Sequence, residues 1–427
     1  MKDAGIQQRR WPVQTCGKNS PFAPFSPVKS ITFALHSYPI MIQLAYIREN
    51  KDDVIARLAV KNIDAKETIE DIIRLDAEKR KHQTELETLL AEQNTLAKQI
   101  GEMMKSGKKA EADDLRNRST AIKEMAKGLE EKQVDLEKQV TDLIIRLPNL
   151  PSPVVPKGKT ADDNEVVFLD ETYQPKLPDN ALPHWELAAK YDIIDFELGN
   201  KITGAGFPVY KGQGARLQRA LINFFLDQAT LAGYNEVQPP ILINEESGFG
   251  TGQLPDKEGQ MYHVGVDNLY LIPTAEVPVT NIFRDTIVKA EDLPIRCTAY
   301  TPCFRREAGS YGAHVRGLNR LHQFDKVEIV QIAHPDKSYE ILEEMRHYVA
   351  GLLKMLELPF RTLKLCGGDM SFASALTYDM EVWSAAQQRW LEVSSVSNFE
   401  SFQANRLKLR YREGNNKPVI AHTLNGS

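Results

Sequence analysis

The chain has 427 residues, too many for one ordinary domain, so two or three domains are expected. Hydrophobic residues make up 42% of it, enough for a substantial core. The formal net charge of −5 excludes a strong overall attraction to nucleic acid, so any such contact needs a local basic patch. No stretch approaches the roughly 20 apolar residues of a membrane-spanning helix, and no membrane contact is expected.

The cysteines are too scattered to indicate a metal site or a disulfide framework. None of the four has a CxxC spacing or a nearby group of histidines. Free thiols of this kind are typical of a reduced, cytoplasmic protein.

Residues 1–40 differ in composition from everything after them. They are rich in proline, serine and aromatic residues, contain almost no acidic residues, and show neither helical nor strand periodicity. We predict a disordered or non-native N-terminal extension. An organellar transit peptide is the alternative, because such segments are basic and poor in acidic residues.

A helical arm is predicted next. Apolar residues recur at heptad spacing between 68 and 104, and a second seven-residue series runs from Leu115 to Leu143. Ser106-Gly107 between them signals a turn. Two helices of equal length joined by a short turn bury their apolar stripes by folding back on each other, which predicts an antiparallel coiled coil. On pattern alone, a dimerisation or spacer hairpin is the simpler interpretation.

The predicted tip of this arm carries three more basic than acidic residues, which is a modest phosphate-binding footprint. The candidate nucleic-acid contacts are Lys105, Lys108, Lys109, Arg116, Arg118, Lys123 and Lys127.

Closely spaced prolines between 146 and 159 end the helical pattern. We therefore predict a helical domain over 41–148, a linker over 149–165 and a mixed globular domain over 166–427. Within the last, helical spacing predicts a helix over 212–231, followed by a turn and an extended segment.

A charged hairpin is predicted between Thr301 and Val330, with two strands around a polar loop. Strand alternation would place Arg305 and Glu307 on the same face of the first strand. On the returning strand, Phe324 and Glu328 would likewise share a face. An arginine can hold a phosphoryl oxygen and a carboxylate, a ring can stack on a purine, and a glutamate can accept from an amine. ATP fits this set, although an exposed salt-bridged hairpin is the simpler alternative.

A second polar pair lies upstream, between Pro273 and Pro278. If this segment is a short strand, Thr274 and Glu276 share a face, and both can accept hydrogen bonds from an ammonium group. Such a pair is what an amino-acid pocket needs, but an exposed strand edge would also show it.

Taken together, these strings resemble the class II aminoacyl-tRNA synthetases, and the bacterial-type seryl-tRNA synthetases in particular. CFRREAGSYG followed by HQFDKVE is similar to motif 2 of that class, and the resemblance extends from about residue 41 to 427 through TGQLP, TAEVP, SSVSN and HTLNGS. It implies an α+β fold, in which an antiparallel coiled-coil arm precedes an antiparallel sheet with flanking helices. It also implies ATP-dependent activation of L-serine and transfer of the seryl group to tRNA(Ser), with tRNA(Sec) as a second candidate.

The resemblance implies a role for each site residue. Arg305, the catalytic residue, would bridge the serine carboxylate and the ATP α-phosphate, while Glu307 and Phe324 would bind adenine. Mg²⁺ would be held with ATP by Glu392 and Ser395. The implied serine site comprises Thr274, Ala275, Glu276, Arg305, Glu328, Asn398, Thr423, Asn425 and Ser427; the implied ATP site comprises Arg305, Glu307, Phe324, Glu392, Val393, Ser394 and Ser395.

The resemblance also assigns larger parts of the chain. The arm would form a tRNA-binding domain, the segment 166–427 a catalytic domain, and the helix at 212–231 the motif 1 homodimer interface. The sequence stops where the family continues into the motif 3 helix, whose arginine holds the γ-phosphate. We therefore expect the full gene product to be active, and the chain as given to be either a partial record of it or an impaired protein. The alternatives are a catalytically silent tRNA-binding module and a ligase that loads a carrier protein.

Overall fold

The computed structural model describes residues 44–170, 172, 178, 180–256, 259–307 and 316–427. The predicted extension at 1–40 lies outside these residues. In the part of the chain described, no helix combines the length and apolar character needed to cross a membrane.

The α-helices within these residues are α1 (Leu44–Glu49), α2 (Lys51–Val60), α3 (Lys66–Lys105), α4 (Lys109–Ile144), α5 (His184–Lys190), α6 (Phe196–Ile202), α7 (Gly212–Leu231), α8 (Glu245–Thr251), α9 (Glu276–Asn281), α10 (Ser338–Met355) and α11 (Phe402–Leu407). The β-strands are β1 (Glu165–Leu169), β2 (Ile194–Asp195), β3 (Val209–Tyr210), β4 (Asn235–Glu236), β5 (Leu242–Asn244), β6 (His263–Val264), β7 (Leu269–Leu271), β8 (Ile287–Lys289), β9 (Ile295–Phe304), β10 (Gln323–Ala333), β11 (Phe360–Lys364), β12 (Leu376–Ser384), β13 (Arg389–Glu400), β14 (Arg410–Arg412), β15 (Val419–Ile420) and β16 (His422–Gly426).

The predicted antiparallel arm is confirmed. The 40-residue α3 and the 36-residue α4 pack along each other and are joined at Ser106–Lys108, where Gly107 has a φ of 75°. The buried side chains include the heptad residues Leu86 and Leu96 on α3, with Ile122 and Leu136 on α4. Other heptad residues remain half-buried, because two helices alone cannot enclose every position of the stripe.

The predicted linker, residues 149–165, is packed into the protein at its start. Asn149 is buried, and its Nδ2 donates to the carbonyl oxygens of Ala373 at 2.9 Å and Phe399 at 2.8 Å. Leu150 joins the apolar cluster at the base of the arm, which also contains Phe402. The base of the arm and the mixed domain therefore share a core here, and the domain limits stay a prediction.

An eight-stranded sheet forms the centre of the mixed domain. Its strand order is β1-β11-β12-β13-β16-β10-β9-β4, in which β4 pairs in parallel with β9 and the other neighbours are antiparallel. One face packs against α10 through a core that includes Ile329, Val396 and Leu424, and we call it the helix face. The opposite face carries α9 and α11 near Ala299 and Val330, and we call it the site face.

Two local predictions are wrong. Strand β9 ends at Phe304, so Arg305 and Glu307 leave the sheet and are not two apart on one strand. The segment predicted as a short strand around Thr274 and Glu276 is a turn entering α9. Pro278 is tolerated in the first turn of this helix, where its missing N–H would have no intrahelical partner.

Candidate functional site

A buried polar pocket lies between α9 and strand β10. Thr274 Oγ1 donates to Glu328 Oε2 at 2.8 Å, and Lys326 Nζ lies 3.0 Å from the same carboxylate oxygen. The turn before α9 places Thr274 here, and strand alternation places Lys326 and Glu328 on the site face of β10. Thr274 and Glu328 are both buried, so these polar groups are held in fixed positions by the surrounding protein.

Helix α11 closes the second side of the pocket. Gln403 Nε2 donates to Glu276 Oε1 at 2.6 Å, and Thr423 Oγ1 donates to Gln403 Oε1 at 2.7 Å. Asn425, two residues along β16, also hydrogen-bonds the Glu276 carboxylate. The structure thus brings Glu276, Thr423 and Asn425 together, through a glutamine that the sequence analysis did not identify.

Two carboxylates in one pocket have an electrostatic cost. Burial raises the pKa of Glu276 to about 7, and the neighbouring Glu328 carboxylate adds to this effect. Hydrogen bonds from Gln403 and the charge of Lys326 act in the opposite direction. A ligand that brings a positive charge, such as an ammonium group, would relieve the repulsion.

Arg305 and Phe324 lie together beside the turn that carries Thr274. The guanidinium carbon of Arg305 is 5.1 Å from the centroid of the Phe324 ring, a cation–π contact. Arg305 Nε donates to the carbonyl oxygen of Pro273 at 3.4 Å, so the arginine adjoins the turn that carries Thr274. The contact joins two residues of the predicted ATP site, although Arg305 follows β9 and does not belong to it.

Glu307 reaches the site by a local backbone conformation. Its φ of 46° is in the left-handed region, which turns the chain directly after the strand. Its Oε2 lies 3.8 Å from Arg320 Nη1, on the segment that returns to β10. The residues on either side of the polar loop therefore meet at its base.

A β-bulge places Glu392 on the site face. In the β12–β13 register, Glu381 pairs with Glu392 and Met380 with Ser394, so Val393 is the extra residue. Glu392 consequently points to the same side as Ser395, three residues later, which an uninterrupted strand would not allow. The Glu392 side chain reaches solvent, and Val393 is exposed beside it.

Asp379 completes an acidic group with Glu392. It pairs with Ser395, which hydrogen-bonds its carboxylate. Burial, followed by repulsion from Glu392, raises the pKa of Asp379 to about 8. Partial desolvation by the surrounding strands also raises the pKa of Glu392, although its side chain reaches solvent, while the charges of Arg305, Arg320 and Lys326 oppose this change.

These oxygen donors fit a magnesium ion that is bound together with phosphates. Asp379 Oδ1 is buried and has no hydrogen-bond partner among the described residues. Mg²⁺ is commonly held by one or two carboxylates when phosphate and water supply its remaining ligands. Within the same residues, no group of three or more histidine, cysteine or acidic side chains could hold a metal by itself.

Two predicted side chains lie on the wrong face of the sheet. Asn398 is buried on the helix face, where its Nδ2 donates to Ser338 Oγ at 3.1 Å and its Oδ1 accepts from the Glu400 amide. Ser394 pairs with Met380 and is buried on the same face. Because side chains alternate along β13, neither of these side chains points to the site that contains Ser395.

The remaining predicted residues are at the edge of the pocket. Ala275 is fully buried in the turn before α9 and packs in the core below it. Ser427 follows the last residue of β16 and is half-buried.

Sequence reasoning missed Lys326, Gln403 and Asp379. Strand alternation could have identified Lys326, because it lies between Phe324 and Glu328 on the same face. Gln403 and Asp379 gave no such signal, since each is brought to the site by the packing of an element distant in sequence.

The basic residues of the arm tip are all exposed. Several also pair with acidic neighbours: Lys108 with Glu111, Arg116 with Asp113, Arg118 with Glu92, and Lys127 with Glu131. In the described part of the chain, Lys105, Lys109 and Lys123 have no such ion pair.

Two family models match the chain. The seryl-tRNA synthetase N-terminal domain matches residues 41–151, and the class II core domain of the synthetases for G, H, P, S and T matches residues 262–427. Among curated relatives, the serine–tRNA ligase of Salinibacter ruber is 49% identical over 389 residues, which cover 91% of this chain and 90% of the relative. That of Chlorobium luteolum is 46% identical over 391 residues, with coverages of 91% and 90%.

Solved structures show the same relationship. The seryl-tRNA synthetase from Pyrococcus horikoshii, complexed with ATP, matches with a TM-score of 0.85 and 32% identity, covering 90% of this chain and 91% of that one. The cytoplasmic serine–tRNA ligase from Naegleria fowleri, in complex with AMP, has a TM-score of 0.80 and is 24% identical, with coverages of 91% and 90%, which shows a shared fold.

Proposed function

Since the chain belongs to the seryl-tRNA synthetases, a family of class II aminoacyl-tRNA synthetases, we propose that it activates L-serine with ATP and transfers the seryl group to tRNA(Ser). A second acceptor, tRNA(Sec), is part of the same proposal. The observation that carries it is the junction between the buried carboxylate pocket and Arg305. This arginine contacts the backbone of Pro273, next to Thr274, and also the ring of Phe324.

The buried pocket would bind the serine. The ammonium group would lie between Glu276 and Glu328, where two carboxylates favour a cation. Thr423 and its partner Gln403 are in place for the hydroxyl group of the substrate. A buried site that hydrogen-bonds a hydroxyl rejects a substrate that lacks one, because its own polar groups would stay unpaired.

Arg305 would stabilise the charge that develops when the serine carboxylate attacks the α-phosphorus of ATP. The products of this step are seryl-adenylate and pyrophosphate. Phe324 would stack on the adenine ring, and Glu307 would accept from its amine. No side chain needs to form a covalent bond, because positioning and electrostatic stabilisation lower the barrier.

Magnesium would be held with ATP by Glu392 and Ser395, and we add Asp379 to this group. Bound Mg²⁺ would neutralise phosphate charge during the reaction. The unpartnered oxygen of Asp379 and its closeness to Glu392 support this assignment.

The arm would bind the tRNA through its tip. Lys105, Lys109 and Lys123 are exposed and can approach phosphates without breaking an ion pair with a described residue. Such contacts recognise the shape of the backbone and not its sequence. The described cysteines are free thiols, which supports the cytoplasmic location expected for a protein that acts on tRNA.

The protein would act as a homodimer through motif 1. Helix α7 was predicted over 212–231 and has those bounds. Of its 20 residues only Gly214 and Ala229 are buried, and Leu217 and Leu231 are exposed. An apolar surface of this kind supports a symmetric contact with a second copy.

The test combines two assays on the full gene product, which is the form expected to be active. We expect serine-dependent exchange of pyrophosphate into ATP and transfer of radiolabelled serine to tRNA(Ser). The matched variant Asp379→Asn should need more Mg²⁺ for half-maximal exchange. Binding of tRNA without exchange would contradict the proposal and favour a silent tRNA-binding module, and transfer of serine to a carrier protein would favour the other alternative.

A further inference from the structure

His184, the first residue of α5, contacts the segment 316–320 that returns to β10. The backbone N–H of Leu318 donates to His184 Nε2 at 2.7 Å. Gly317 has a φ of 73°, and a Cβ atom added to it would lie 2.2 Å from the same nitrogen. The segment therefore passes so close to the imidazole that only glycine fits at this position.

The contacts of the ring determine its tautomer. Since Nε2 accepts a hydrogen bond, the proton of the neutral imidazole is on Nδ1. Nδ1 lies 3.3 Å from the side-chain amide of Gln387, in the turn between β12 and β13. A ring N–H needs an acceptor, so the amide oxygen of Gln387 belongs at this position. Asn319 Nδ2 lies 3.1 Å from the other end of the same amide, so the Asn319 amide turns over with it and its oxygen accepts from Gln387 Nε2.

This arrangement joins three elements: α5, the β12–β13 turn and the segment 316–320. The segment ends at Arg320, which lies 3.8 Å from Glu307 and whose charge acts on Glu392. Both acidic residues belong to the ATP side of the proposed site. The position of Arg320 between them depends on how the segment before it is held.

We propose that His184 is a positioning residue for adenylate formation, which holds residues 317–319 in its neutral Nδ1-protonated form and thereby fixes Arg320 beside Glu307. This role rests on the proposed function, because it assigns the segment to the ATP site. His184 itself touches neither substrate.

Protonation of His184 would break the contact, because a second ring N–H would face the N–H of Leu318. Burial lowers the pKa of His184, so the neutral form persists below the ordinary histidine range. The charged groups around the ring are Arg316, which stacks on the neighbouring Trp185, with Arg320 on the same segment and Glu186 and Lys190 on α5 itself. The turn residues 385–388 carry no ionisable side chain. As the pH falls through the lowered pKa, the KM for ATP should rise.

The test uses three variants of the full gene product. His184→Leu removes both hydrogen bonds, whereas His184→Gln keeps an acceptor where Nε2 lies and cannot be protonated. We expect His184→Leu to raise the KM for ATP about tenfold, the effect of one lost hydrogen bond. His184→Gln should restore most of this loss and abolish the acid-side rise in KM. His347→Gln, an exposed histidine on α10, is the control.

Hydrogen exchange of the Leu318 amide gives a readout independent of activity. Protection should be present in the wild type, lost in His184→Leu and retained in His184→Gln. The proposal would be overturned if His184→Leu left both the protection of the Leu318 amide and the KM for ATP unchanged. It would also be overturned if His184→Leu and His184→Gln lost protection equally and both had a lower Tm. If the wild type shows no exchange activity but the predicted protection pattern, the proposed function fails while the structural contact stands.

Discussion

Glu276 and Glu328 are two buried carboxylates in one pocket, and their partners differ. Glu328 is next to Lys326 and accepts from Thr274, whereas Glu276 accepts from the neutral amide of Gln403. The pocket therefore contains one carboxylate with a positive partner and one without. The second is the group that an incoming ammonium can pair with.

The pKa of Glu276, raised to about 7, gives two pH predictions. The folded protein without ligand holds this proton more tightly than the unfolded chain does. The contribution of Glu276 to the free energy of unfolding should therefore decrease as the pH rises from about 4.5 to about 7. The KM for serine should also fall as the pH rises through 7, because the ionised carboxylate binds the ammonium.

The variant Glu276→Gln tests both predictions. It should raise the KM for serine roughly 10- to 100-fold, the effect of a lost hydrogen bond to a charged group. In this variant, neither the KM for serine nor the free energy of unfolding should change with pH near 7 in the way described for the wild type. An unchanged pH profile in exchange assays and in denaturant unfolding would show that Glu276 is not the titrating group.

Arg305 should be sensitive to a change that keeps its charge. Lysine cannot hold a carboxylate and a phosphoryl oxygen in one planar arrangement, so Arg305→Lys should lower kcat about 100- to 1000-fold in pyrophosphate exchange. The neighbouring Arg306 is exposed and is the matched control. Equal effects of Arg305→Lys and Arg306→Lys would contradict the role of Arg305.

Among the elements, helices were more predictable than strands. The bounds of α7 and the α3–α4 hairpin followed from periodicity and turn residues. The turn before α9 did not, because Pro273 and Pro278 are compatible with either a strand or a first helical turn. The position of Glu392 depends on the bulge at Val393, for which the sequence has no local signal.

Strand alternation alone would have corrected one assignment. Ser395 and Asn398 are three apart on β13 with no bulge between them, so they point to opposite faces. A regular strand therefore cannot present Ser395 to ATP and Asn398 to serine on the same face of the sheet. Asn398 instead stabilises the contact between the sheet and Ser338 at the start of α10.

The lysines at the arm tip should make tRNA binding depend on the salt concentration. Replacing Lys105, Lys109 and Lys123 with glutamine should weaken tRNA binding and reduce the slope of log K against log[salt] by up to about 3, since each phosphate contact contributes roughly one. Pyrophosphate exchange should not change. The control replaces three exposed lysines nearer the base, Lys66, Lys81 and Lys138. The same loss in both triple variants would exclude a tip-specific contact.

At the scale of the whole molecule, Lys61, which directly follows α2, joins the N-terminal helices to the mixed domain. Its Nζ donates to the carbonyl oxygens of Ser371 and Ser374, each at 2.8 Å, and of Phe372 at 3.4 Å. The segment that contains these acceptors leads into β12 and Asp379. Burial lowers the pKa of Lys61 to about 7, while three carbonyl oxygens match the three N–H groups of an ammonium.

Lys61→Met should therefore destabilise the protein by about 2–4 kcal/mol, because it leaves buried carbonyl oxygens without a donor. Denaturant unfolding measures the change, and Lys66→Met, an exposed neighbour, is the control. In the wild type, the contribution of Lys61 to the free energy of unfolding should rise between about pH 7 and 10.5, since only the unfolded lysine stays protonated there. An unchanged free energy of unfolding in Lys61→Met would show that packing alone joins the N-terminal helices to the mixed domain.

The selection of serine is the central claim for the molecule as a whole, because it requires the pocket, Arg305 and the ATP side to act together. The most direct measurement compares kcat/KM for serine and alanine in pyrophosphate exchange catalysed by the full gene product. We predict a preference for serine of roughly a thousandfold or more, because alanine would leave the buried polar groups around Thr423 unpaired. Equal use of the two amino acids, or no exchange with serine, would contradict the assignment of this pocket.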